Sequence, residues 1–378
     1  MTTFLAWVAT ALDVLALFGC VAVLASTRSM ARLGRASRAA PLAVAPQPVT
    51  MLKPLHGDEP RLAENLATFR DQDWDAPIQI LAGVARADDP AADIARSIGD
   101  MVDVVVDGRR HGANAKIGNI VNMMPAARHD LIVLSDSDIA APPNYLKHIA
   151  AQLADPGIGA VTIAYGGRGD TGFWSRFCAG IVSYHFMPSM MLSLDLGMGD
   201  VCMGSTIAMR RETLEAIGGF DRFVDTLADD YAIGQAVRAL GLKVVVPPVF
   251  VTHASIETSF AEVAKHELRW MATVRTVNAA GHVGSLTLHA LPLSLIALLL
   301  APGRWTLAVV IAALITRLVS AKVVDRVLGR TTLPLWLMPL RDLMTFGVHV
   351  TSLFVRRVDW RGARLKMRAA GRIEAEGA

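Results

Sequence analysis

Leu131-Ile132-Val133-Leu134-Ser135-Asp136-Ser137-Asp138 is the stretch on which the fold turns. Four consecutive apolar residues without polar alternation describe a strand buried on both faces, the pattern of a parallel sheet. Working outward, residues 49–52, 78–84 and 102–106 repeat it. Between these runs lie 61–70, 90–98 and 113–124, which have helical spacing and helix-start residues. The alternation predicts a mostly parallel α/β sheet covered on both faces. A ligand crevice then lies at the carboxyl ends of the strands.

That topology places Asp136 and Asp138 at the crevice. Carboxylates at i and i+2 of an extended chain point the same way and suit one Mg²⁺ or Mn²⁺, which takes one or two protein carboxylates and completes its shell with water and phosphate. Asp and Ser also favour plain turns. Asp88-Asp89-Pro90 follows another strand and reads equally as a turn or helix cap, while Asp229-Asp230 opens a helical pattern whose dipole favours acids. Three acidic pairs at the ends of successive units nevertheless repel one another and call for a common reason. Further on, His266-Glu267-Leu268-Arg269-Trp270 lies in a helix-like stretch. Arg269 and Trp270 there are either membrane-interface anchors or, for the guanidinium, a bidentate grip on pyrophosphate. An aromatic and Met-rich run including Trp174 and His185 reads as a buried helix or as an apolar face for a lipid acceptor.

Composition adds a membrane. The 378 residues are 53% hydrophobic with mean hydropathy +0.40, too apolar for an ordinary soluble domain. Residues 4–25 are apolar apart from Asp13, and 286–321 form two apolar runs broken at 301–304, a transmembrane helix and a transmembrane hairpin by length. Arg28, Arg32, Arg35 and Arg38 follow the first run without an acid, which places the succeeding domain in the cytosol. The expected organisation is a transmembrane helix at 1–25, a basic and Pro-containing linker at 26–48, a cytosolic domain at 49–282, the hairpin at 286–321, and an interfacial or re-entrant segment with a basic tail at 322–378. Residues 41–285 carry 20 Lys/Arg against 28 Asp/Glu, a net of −8. The basic excess therefore sits in the flanks, where it suits an anionic lipid bilayer and gives no support for nucleic acid as a partner. Cys20, Cys178 and Cys202 have no disulfide or metal-knuckle spacing.

The segments 51–57, 87–91, 114–119, 136–138, 228–231 and the Arg-Trp box, in this order, resemble the family-2-like glycosyltransferases. Within them the chain is similar to the ceramide glucosyltransferase branch and, inside that branch, to the hopanoid biosynthesis-associated glycosyltransferases. The resemblance implies a GT-A-type nucleotide-sugar-binding domain with transmembrane helices, in a bacterial plasma membrane. It also implies inverting transfer from a UDP-sugar donor to a membrane lipid acceptor: N-acetylglucosamine to bacteriohopanetetrol, with glucose to ceramide as the alternative. On this basis Asp88 or Asp89 meets the uridine, Lys116 the donor phosphates, and Asp136 with Asp138 the diphosphate through the divalent metal. Asp230 is the base and Asp229 its neighbour; Arg269 and Trp270 match the box, which opens here with His266 in place of the usual Gln or Arg. A processive synthase is disfavoured by the small number of spans, and a non-catalytic sugar-nucleotide sensor has no need of Asp230.

Overall fold

The computed structural model describes residues 2–39, 43–198, 201–355, 357–360, 363–367 and 373–375. Its central sheet begins with β1 (Val49–Pro54), β2 (Ile78–Val84), β3 (Val102–Val106) and β4 (Leu131–Ser135), which pair in parallel in the order β3-β2-β1-β4. Every residue of β1 and β4 is buried, as the hydrophobic runs at their centres demand. Three further strands, Thr206–Arg210, Ile158–Thr162 and Lys243–Val245, extend the sheet to seven. The first of these runs antiparallel to β4. The result is a mixed, mostly parallel sheet.

The connecting helices begin where the sequence supplies caps. Asp89 accepts from Ala91 N at the start of Pro90–Ser97, where Pro90 occupies the first turn, and Asn114 accepts from Ile117 N at the start of Ala115–Met123. Helix Leu62–Arg70 starts one residue later than 61, because Arg61 takes a left-handed conformation at its N-cap.

A second, three-stranded sheet joins Ile139–Ala140, Phe250–Ser255 and Ala164–Gly169 beside the carboxyl ends of β1 and β4. Arg330 ties the apolar helices to it: its guanidinium donates to Thr252 Oγ1 at 2.7 Å and to the Gly166 carbonyl at 2.6 Å. The strand bearing His253 is thereby anchored to the helical layer.

That layer holds Thr2–Ala36, Ala290–Leu300, Arg304–Leu328 and Met338–Ser352. The first helix runs on through the arginine-bearing stretch to Ala36, past the boundary expected at 25, since Ser26–Arg35 contains neither Pro nor Gly except Gly34. Gly34 lies against Val327, and Gly19 lies so close to the Thr287 carbonyl that a Cβ there would approach it to 2.2 Å. Among the described residues three helices are long and apolar enough to cross a membrane: Thr3–Ala36, Phe173–Asp195 and Arg304–Leu328. Ala279–Leu288 with Ala290–Leu300 passes the same test as a pair bent by 65°. Phe173–Asp195 falls inside the stretch expected to be cytosolic. Its aromatic and Met content makes it apolar, yet Phe177, Tyr184 and Met187 are packed in the core.

Met338–Ser352 carries Arg341 and Asp342 inward. Arg341, fully buried, meets both oxygens of the fully buried Glu267 and donates to the Phe177 carbonyl at 3.1 Å. Asp342 receives both guanidinium arms of Arg317 at 2.8 and 2.9 Å. The central charges are therefore internal fasteners rather than a polar surface. The tail backbone forms the antiparallel strands Arg357–Trp360, Ala363–Met367 and Ile373–Ala375, while the basic side chains assigned to lipid there lie outside the described residues.

Removing one member of a buried pair strands the other charge, at a cost of about 3–5 kcal/mol. Glu267→Ala is expected to lower the unfolding free energy by that much, and Glu267→Ala with Arg341→Met to recover most of it. Denaturant titration of the detergent-solubilised protein measures both.

Candidate active site

β1 and β4 end side by side, and the loop after β4 carries Asp136 and Asp138. Lys53, at the end of β1, is fully buried beneath this loop, its ammonium 2.5 Å from the Asp136 carbonyl, 3.3 Å from Ser135 Oγ and 3.7 Å above the Phe69 ring. Burial pushes its pKa down to about 7. Lys53 therefore holds the loop from below, a role that its place in an apolar strand gave no hint of.

Lys116, in the first turn of Ala115–Met123, reaches Asp136 Oδ1 at 2.6 Å and Asp229 Oδ2 at 3.7 Å. Burial disfavours its charge, but Asp136 and Asp229 outweigh that and hold it protonated above its ordinary range. Asp229 Oδ1 also accepts from Asn114 Nδ2 at 3.3 Å, so the starts of two helices meet at this carboxylate. Burial raises the pKa of Asp229 and raises that of Asp230 to about 7, Asp229 itself being the second cause for Asp230. Asp230 is half-buried and faces Gly204, where a Cβ would come within 3.2 Å of its Oδ2.

Asp138 meets a residue that sequence reasoning missed. His253 Nε2 lies 3.4 Å from Asp138 Oδ2, while Asp138 Oδ1 and His253 Nδ1 are buried without a protein partner. Burial raises the Asp138 pKa. Asp136 and Asp138 offer carboxylate oxygens of the kind Mg²⁺ or Mn²⁺ takes, and the orphaned Asp138 oxygen leaves a coordination position to fill, so these residues fit a divalent ion. Tyr165 stacks on His253 at 5.5 Å, its phenol pushed well up by burial and then by Asp230 and Asp136. Trp270 also meets the His253 ring, edge-on at 5.8 Å. Asp136, Asp138, Lys116, Asp229, Asp230 and Trp270 are thus gathered around one crevice. The signal for His253 was a polar residue inside the apolar strand Phe250–Ser255, interpretable only once that strand is seen beside Asp138.

The remaining sequence-derived residues divide. Asp89 is a fastener: its Oδ1 accepts from Gly57 N at 2.9 Å and from Ala91 N at 3.0 Å, joining the loop after β1 to the next helix. Asp88 is exposed and paired with Arg86. His266 packs edge-on against Trp270 at 4.6 Å and bonds Glu257 through Nδ1. Arg269 is half-buried on the same helix. The candidates for acceptor contact differ in the same way. His185 sits in a π-helical turn, locked to Asp342 Oδ1 at 2.9 Å and to Arg317, whereas Trp174 joins an aromatic group with Phe173, Phe177 and Phe260. Both His185 contacts are made through Nε2.

A family profile described as glycosyl transferase family 21 matches residues 11–373. Ceramide glucosyltransferase 1 of Caenorhabditis elegans is 24% identical over 218 residues, 56% of this chain and 45% of that relative, so the match spans less than half of it. Among solved structures, the mannosyltransferase PcManGT of Pyrobaculum calidifontis with GDP-Man and Mn²⁺ has a TM-score of 0.48 and 18% identity, covering 91% of this chain and 99% of its own. TarS 1-349 of S. aureus with UDP-GlcNAc has a TM-score of 0.39 and 14% identity, covering 87% and 99%.

Asp89→Ala is expected to cost about 0.5–2 kcal/mol, the range for a lost helix cap, whereas Asp88→Ala stays within about 0.5 kcal/mol, as exposed substitutions do. Denaturant midpoints separate the two.

Proposed function

Because the chain belongs to glycosyl transferase family 21, we propose that this glycosyltransferase moves a sugar from a UDP-sugar to the hydroxyl of a membrane lipid, with inversion. The observation that carries the reading is the position of Asp230: a carboxyl titrating near 7, beside the Lys116–Asp136–Asp229 cluster, in a domain tied by Arg330 to helices long and apolar enough to cross a membrane.

The chemistry follows from these groups. Ionised Asp230 accepts the proton of the acceptor hydroxyl as its oxygen bonds to the anomeric carbon. The bond from that carbon to the diphosphate breaks on the opposite face, and its electron pair leaves with UDP. Lys116 offsets negative charge at the phosphates. Asp136 and Asp138, with His253 beside them, would hold a divalent ion such as Mg²⁺ or Mn²⁺, which would supply further positive charge at the leaving diphosphate. Trp270 and Arg269 close the acceptor side, and Trp174 lies in the aromatic group through which an apolar acceptor approaches. The family-level resemblance supports N-acetylglucosamine as the sugar and a hopanoid polyol such as bacteriohopanetetrol as the acceptor. The similarity to a ceramide glucosyltransferase supports the alternative, glucose to ceramide. A cytosolic catalytic domain on a bacterial inner membrane, with the arginines at the C-terminal end of the first helix on anionic lipid, completes the proposal.

Incubating the protein in anionic vesicles containing either a hopanoid polyol or ceramide, with UDP-N-acetylglucosamine or UDP-glucose, identifies the glycolipid by mass spectrometry. A single-sugar hopanoid product is expected. A ceramide product reassigns the acceptor, and UDP-sugar binding without any glycolipid ends the transferase reading.

Asp230 must be ionised to accept a proton, so kcat/KM is expected to fall as pH drops through about 7. Asp230→Asn should lower kcat by roughly 10²- to 10⁴-fold and abolish that limb, with UDP binding retained. An unchanged pH profile in Asp230→Asn places the base elsewhere.

A further inference from the structure

Beside Trp270, which packs against His266, a second group of side chains converges. Cys178 comes from helix Phe173–Ile181, Glu257 from the loop after strand Phe250–Ser255, and His266 from helix Phe260–Val277. One ligand-capable atom from each lies within 4.8 Å of the others. Cys178 and Glu257 are buried, and the His266 side chain is 21% exposed.

The protein-only arrangement leaves this group unbalanced. His266 Nδ1 bonds Glu257 Oε1, but Glu257 Oε2 and His266 Nε2 are both buried without a partner. If His266 is protonated, its Nε2–H is a buried donor with no acceptor. If it is neutral, the Glu257 carboxylate is a buried charge with no compensating cation in the group. Either state carries the penalty of an unsatisfied polar group in a dry site.

We propose that Cys178, Glu257 and His266 form a binding site for a divalent cation of the zinc class, distinct from the Asp136–Asp138 site. The charges close: a +2 ion with a thiolate, a carboxylate and a neutral imidazole sums to zero. Binding breaks the Cys178 S–H bond, releases that proton to solvent, and exchanges the imidazole–carboxylate hydrogen bond for two metal bonds. A mixed sulfur, nitrogen and oxygen set selects a borderline-soft ion such as Zn²⁺, whereas Mg²⁺ and Mn²⁺ prefer oxygen donors. A tetrahedral ion with ligands at about 2.0–2.3 Å keeps their atoms roughly 3.5 Å apart. Small rotamer changes therefore suffice to close the group on an ion. Three protein ligands leave the fourth position open, and Trp270 against His266 walls one side of it. The ion links two helices and a loop at the back of the Arg-Trp box and so holds the plane of Trp270.

The test uses full-length protein in detergent, stripped of metal and titrated with Co²⁺ as a spectroscopic stand-in for Zn²⁺. The wild type is expected to develop a near-ultraviolet thiolate-to-cobalt charge-transfer band with the visible bands of a tetrahedral ion, reversed by Zn²⁺. Cys20→Ala and Cys202→Ala should each keep the charge-transfer band, and Cys178→Ser should lose it. Asp136→Ala with Asp138→Ala should keep it as well, which separates this site from the donor-diphosphate site. Absence of the band in the wild type overturns the proposal without recourse to any variant. Its loss in Cys20→Ala or Cys202→Ala, or its survival in Cys178→Ser, overturns the assignment of ligands. None of these readouts depends on turnover.

Discussion

Four carboxylates, Asp136, Asp138, Asp229 and Asp230, share one crevice, and the folded chain has to offset their repulsion. At an effective dielectric of about 20, unit charges 4 Å apart interact by about 4 kcal/mol. Lys116, within 2.6 Å of Asp136 and 3.7 Å of Asp229, supplies compensation of that order across two elements at once. The remaining repulsion and the burial appear as the raised pKa values of Asp138, Asp229 and Asp230. The same electrostatic tension that opposes folding thus tunes Asp230 toward neutrality and leaves Asp138 with an oxygen lacking any protein partner. A site in this state is organised to receive positive charge and a proton, which are the needs of a departing diphosphate and an attacking hydroxyl.

Rigidity around the crevice comes from buried charge pairs in the helical layer. Arg341 with Glu267, and Arg317 with Asp342 and His185, cross between helices that share no local sequence. Glu267 lies between His266 and the Arg269-Trp270 pair, so its bond to Arg341 fixes the helix that presents all three. Arg330 on Gly166 and Thr252 does the same for the strand bearing His253. These bonds link the crevice to the apolar helices.

The contacts of Asp89 and His185 show how a residue that is conspicuous in sequence also takes part in the architecture. An acid before proline suggests a ligand contact or a cap, and a histidine within an apolar run suggests an acceptor contact or a buried partner. Asp89 Oδ1 accepts from two backbone N–H groups, and His185 Nε2 meets Arg317 and Asp342. Buried polar groups take partners wherever packing supplies them, and side-chain chemistry alone does not reveal which partner that is.

What the amino-acid sequence determined by itself was local. Uninterrupted apolar runs specified strands buried on both faces, caps at Asp89 and Asn114 started helices, and Asp136-Ser137-Asp138 had to follow a strand end. Apolar lengths marked the membrane-competent helices in the same way, because hydrophobic burial and backbone hydrogen bonding act over a few neighbouring residues. Only the tertiary structure decided that His253 stands beside Asp138, that Lys53 supports the loop from below, that the first helix carries on to Ala36 against its neighbours, and that Cys178, Glu257 and His266 converge. Those pairings join residues far apart along the chain. They are set by which faces pack together, and no periodicity or spacing within either segment encodes them.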